Sequence, residues 1–118
     1  MRFRQGDVLI SKVKKCEGKK KADLVLAYGE VTGHRHQLVC EKDEATLYEE
    51  SGTLYLHIEA DEATLFHGST EQIARQQTGA AFDFVKEDCH APITLPKGDY
   101  EIKIQREYEP EGWRYVAD

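Results

Sequence analysis

The chain has 118 residues, which fits one domain of the commonest size. Hydrophobic residues make up 40% and charged residues 32%. No apolar run approaches the ~20 residues of a membrane-spanning helix, so a soluble protein without membrane contact is expected. The formal charge of -6 is uneven, with residues 1–21 basic and the remainder strongly acidic. An acidic body disfavours long duplex DNA, because binding there is driven by phosphate neutralisation. A small molecule or a short nucleotide remains compatible. The lysine-rich run 12–21 reads as a solvated loop.

Met1-Arg2-Phe3-Arg4-Gln5-Gly6-Asp7 has no signal-peptide apolar stretch, which predicts a cytoplasmic location. Cys16, Cys40 and Cys89 are odd in number and lack Cys-x-x-Cys spacing, as expected of reduced thiols.

Alternating apolar and polar residues predict strands through most of the chain. In order these are 7–13, 24–28 and 34–40, then a hairpin of 46–49 with 53–58 about Glu50-Ser51-Gly52. A short strand at 63–66 follows, and a last one covers 100–106 after a turn at Pro96-Lys97-Gly98-Asp99. Residues 68–88 read as an insertion holding one short helix over 69–77. Ser69 is its N-cap and Gly79 its stop. The expected fold is mainly β, a small antiparallel barrel or sandwich forming a single domain over 1–118. The aromatic-rich end, 111–116, is expected to pack on the body or on a second copy in a homo-oligomer.

The five histidines carry the most chemical information: His34, His36, His57, His67 and His90. His34 and His36 are two apart on a predicted strand, so both point to one face. Leu38 and Cys40 continue that face, which turns it inward. Paired buried imidazoles call for a metal or for hydrogen-bonding partners. His67 and His90 flank the insertion and are the candidates to complete a site with His34 and His36. Glu41 is an alternative acid ligand. His57 lies between Leu56 and Ile58 and is expected to face solvent. The implied cofactor is a divalent ion, zinc, manganese or iron. Three ligands with an open position would activate water in a hydrolase, whereas four would be structural.

Two alternatives use the same residues or none of them. Metal-independent phosphodiester hydrolysis of RNA or nucleotides would use His34, His36 or His90 as acid and base, with Arg106 on the developing charge. A non-enzymatic adaptor would use the acidic face. Cys89 beside His90 is a weak nucleophile pair, since strand neighbours face opposite ways.

Gly29-x4-His34-x-His36-x4-Glu41 resembles the first metal motif of the cupins, small β-barrels that hold iron, manganese, zinc or nickel. It is one residue short after the glycine, and the second cupin motif is absent. A longer resemblance covers nearly the whole chain. Gln5-Gly-Asp-Val-Leu, Gly29-Glu-Val-Thr-Gly-His-Arg-His36, Leu54-Tyr-Leu, His90-Ala-Pro-Ile and Gln105-Arg-Glu-Tyr108 look like a small, uncharacterised bacterial and phage family. There, Thr-His-x-x-His-x-Pro-Ile stands where this chain has Phe66-His67 and Cys89-His90 separated by the insertion. The resemblance implies a shared fold, directs attention to the histidines and brings no activity with it.

Overall fold

The computed structural model describes residues 1–29, 31–79, 81–109 and 112–115, with side chains described as far as residue 105. Among the described residues, ten strands and one helix follow one another. They are β1 (Arg2–Gln5), β2 (Val8–Val13), β3 (Lys19–Lys20), β4 (Val25–Tyr28), β5 (Arg35–Val39), β6 (Ala45–Glu50), β7 (Thr53–Gly68), α1 (Thr70–Gln77), β8 (Ile93–Ile104), β9 (Arg106–Glu109) and β10 (Gly112–Tyr115). The expectation of a mainly β, antiparallel protein with one helix holds. Every strand pairing is antiparallel.

The main sheet runs β1-β2-β8-β7-β5-β4, with β6 also on β7 and β3 on β6. It is open rather than closed, which favours the sandwich over the barrel. β9 and β10 form a separate hairpin.

The long strand β7 joins the two wings of the sheet. Its first half pairs with β6, its second half with β5, and β8 runs along both. Between Ile58↔Gly98 and Glu62↔Pro96 the register shifts, so that three residues of β7 oppose one of β8. Such a bulge bends the strand and changes which residues face inward. Before it, Leu56 and Ile58 are buried; after it, Ala63, Leu65 and His67 are. β8 switches in step, from Leu95 to Tyr100 and Ile102. The turn expected at Pro96–Asp99 is instead continuous strand within β8, facing the bulge of β7. Likewise, 53–58 and 63–66 are one strand and not two.

Alternation packs Val8, Ile10, Leu38, Leu47, Leu56, Ile58, Leu65, Leu95 and Tyr100 into one fully buried core. The helix is capped by Ser69, whose side chain accepts from the Gln72 N–H, while Gln72 accepts in return from the Ser69 N–H. Thr78 is the C-cap, and Gly79 follows at φ 79°, the left-handed conformation that ends a helix.

Candidate metal centre

The end of the sheet where β5, the close of β7, the β1–β2 turn and the segment before β8 meet holds four imidazoles. His36 sits directly opposite His67 across the β5/β7 ladder, with ring centroids 4.5 Å apart. His67 lies at the centre of the group, 5.3 Å from His34 and 4.9 Å from His90. His34, His36 and His67 are buried, and His90 is exposed at the mouth.

The helical segment 68–88 leaves this place and returns to it. Gln76 of α1 donates to the His67 carbonyl at 2.8 Å. Arg75 grips both carboxylate oxygens of Glu87, at 3.1 and 2.8 Å, and Gln72 donates to the same residue. The Arg75 contact holds the Glu87 carboxyl below its usual range. This clamp fixes the 81–88 turn, and the Cys89 N–H closes it on the Phe84 carbonyl at 2.8 Å. The next N–H, of His90, donates to His67 Nδ1 at 2.9 Å. His67 and His90 therefore do meet, although 23 residues separate them.

His34, His67 and Cys89 each offer a donor atom, and the three atoms lie within 4.8 Å of one another. All three residues are buried. His34 Nδ1 has no hydrogen-bond partner among the described residues. A buried, unsatisfied ring nitrogen beside two further donors is the chemistry of a metal ligand. Donors on one tetrahedral zinc ion lie about 3.3–3.6 Å apart for bonds of about 2.0–2.3 Å, so modest side-chain rotation would close the group.

Glycine makes room for these side chains. A Cβ on Gly6, which has φ 59°, would stand 2.8 Å from His90 Nε2. One on Gly29 would stand 3.1 Å from His67 Nε2, and one on Gly68 3.1 Å from Cys89 Sγ.

Burial lowers the basicity of the inner rings. It pushes His36 down to about 3, helped by His67 and His90. It pushes His67 down to about 4, helped by His90 and His34. Burial, with Glu87 and Asp88 nearby, raises the Cys89 thiol, so a cation is needed to make it a thiolate.

Hydrogen bonds fix the ring protons. Gln5, 2% exposed, donates its Nε2 hydrogens to the carbonyls of Leu65 and Ala91, at 2.9 and 3.0 Å. Its Oε1 is therefore an acceptor, and His36 Nδ1–H donates to it at 2.8 Å. Neutral His36 then carries its lone pair on Nε2, 3.7 Å from the buried Asp7 Oδ1. His67 is the reverse: its Nδ1 accepts the His90 N–H, so this ring can hold an ion only when that bond opens or Nε2 gives up its hydrogen.

Of the residues expected from sequence, His34, His36, His67 and His90 come together. Glu41 does not, since it lies beyond the far end of β5, exposed, with its N–H bonded to Glu44. The cupin-like triad is thus not assembled. The Arg106 side chain and the 111–116 packing lie outside the described residues. His57 stands apart, 33% exposed and bonded to Asp99 at 2.6 Å. Cys89, Asp7 and Gln5 were not expected in the site. The Cys89-His90 adjacency and the Gln5-Gly-Asp turn were the available signals.

Fold and site together define a small antiparallel β protein with a buried histidine–cysteine cluster at one end of its sheet. The chain belongs to the family described as Domain of unknown function (DUF8820), whose model matches residues 4–105. No curated protein and no solved structure matches it.

Proposed function

We propose that this protein binds a transition-metal ion through His34, His67 and Cys89. The observation that carries the reading is the convergence of three buried donors from three separate segments within 4.8 Å, at a place where His34 also carries an unpartnered ring nitrogen, Nδ1. Two imidazoles and a thiol favour zinc over manganese, which prefers oxygen donors. Three protein donors leave one tetrahedral position for water or substrate, the arrangement of a hydrolytic centre. His90 stands at its exposed side.

A metal-free acid–base pair is less well supported. It would use His34, His36 or His90 with Arg106, and burial opposes protonation of His36 near neutral pH.

The test is elemental analysis of untagged protein prepared without chelator, beside His34→Ala and Cys89→Ser variants. Near-stoichiometric metal in the parent and its loss in both variants is the expected result. Full metal content in both variants, or none in the parent after zinc is supplied, overturns the reading.

A further inference from the structure

We propose a second cation-binding pair in the same cluster, His36 Nε2 with Asp7 Oδ1, so that the centre holds two divalent ions. The inference builds on the metal-centre reading but stands on different atoms.

The argument begins at Gln5. Two backbone carbonyls hold both hydrogens of its carboxamide, so its oxygen has only an acceptor role. That oxygen takes the Nδ1 hydrogen of His36, and the single lone pair of the neutral ring is left on Nε2. Metal-binding histidines are oriented in this way, by an acceptor on the other ring nitrogen. The contrast with His67 is direct, since its Nδ1 already accepts the His90 N–H.

Geometry supplies the second element. His36 Nε2 and Asp7 Oδ1 are 3.7 Å apart. Two donors on one ion lie about 3.3 Å apart for tetrahedral bonds of about 2.0 Å. A ring-nitrogen lone pair and a carboxyl oxygen face each other across this gap, and a cation placed between them would take both as ligands. Asp7 is 8% exposed and His36 1%, so both donor atoms are held away from bulk water.

The two donor sets differ in kind. His34, His67 and Cys89 include a soft sulfur, whereas His36 and Asp7 offer one nitrogen and one oxygen, suited to an ion that keeps water ligands. His67 packs against both His34 and His36, so the sets are neighbours. Two ions held side by side by these residues would supply the charge that stabilises the attacking and leaving oxygens in hydrolysis of an ester or phosphoester, the substrate class this arrangement would suit.

The experiment is titration of the full chain with Co²⁺ alone. Total binding is measured by equilibrium dialysis, and the near-ultraviolet thiolate-to-cobalt band reports the Cys89 set. Two ions per chain are expected, with the band saturating at the first or second equivalent. Asp7→Asn is expected to remove one ion and keep the band, and Cys89→Ser to remove the band and keep one ion. One ion with its band, unchanged in Asp7→Asn, overturns the second pair and leaves the first reading standing. One ion without a band, lost in Asp7→Asn, overturns the first reading and leaves the second pair. No binding overturns both. Independently of any metal, ¹⁵N spectra of the metal-free parent are expected to show His36 as the Nδ1–H tautomer. An Nε2–H ring removes the argument without any variant having to fold.

Discussion

The backbone N–H of His90 donates to the Nδ1 ring nitrogen of His67, joining the two ends of a helical excursion at one imidazole. Replacing His67 with Ala leaves that N–H without its acceptor and opens space at the centre of the cluster. Losing a partly buried hydrogen-bond partner costs about 1 kcal/mol. His67→Ala is expected to lower the urea midpoint accordingly, and amide exchange at His90 is expected to accelerate. Unchanged exchange at His90 would show that the bond does not hold the loop.

Gly6 is the second prediction. Its φ of 59° is unfavourable for other residues, and a methyl there would meet the His90 ring at 2.8 Å. Backbone strain of this kind costs about 1–3 kcal/mol. Gly6→Ala is expected to destabilise by that order and to displace the His90 resonances in an NMR spectrum. Gly52→Ala serves as comparison: it has φ 84° but open space around it, so it should show strain without the histidine shifts.

Acid should destabilise the protein through the inner rings. His36 and His67 have folded-state values of about 3 and about 4, below an unfolded value near 6.5. The unfolded chain therefore binds more protons as pH falls below about 6.5. Stability is complete above that value and declines down to the folded-state values. Urea midpoints at pH 7.5 and pH 5 check this, and His36→Leu should flatten the dependence. His57 has the opposite sign, because its bond to Asp99 raises it. Its contribution is present below about 6.5 and is lost as pH rises through the raised folded value.

Zinc affinity should rise with pH. Cys89 must lose a proton to bind, and burial with the acidic Glu87 and Asp88 has made that proton harder to remove. The ion held by Cys89 is therefore expected to release at least one proton. Calorimetry in two buffers of different ionisation enthalpy measures the number. Cys89→Ser should reduce both the proton release and the affinity.

Much of the fold could be read along the chain, because alternation is local. Val8 and Ile10, Leu54 with Leu56, and Tyr100 with Ile102 announce strands by themselves, and Ser69 with Gln72 announces the helix start. The pairing of His34 with His36 on an inward face follows from the same period of two. What alternation cannot convey is a change of phase. His57 and His67 lie on one continuous strand at positions of equal parity, yet His57 is half exposed and His67 is buried. The bulge between Ile58 and Glu62 reverses the faces, and it is set by pairing with β8, more than thirty residues away.

The sequence by itself determined a mainly β protein with one capped helix and an inward His-x-His. Tertiary structure alone decided which residues join it. Cys89 arrives through the Arg75–Glu87 clamp, and Gln5 and Asp7 arrive through the β1–β2 turn. Glu41, although only five residues from His36, is carried to the opposite end of β5. A strand advances about 3.3 Å per residue, so neighbours in sequence are soon far apart, while the ends of separate strands meet.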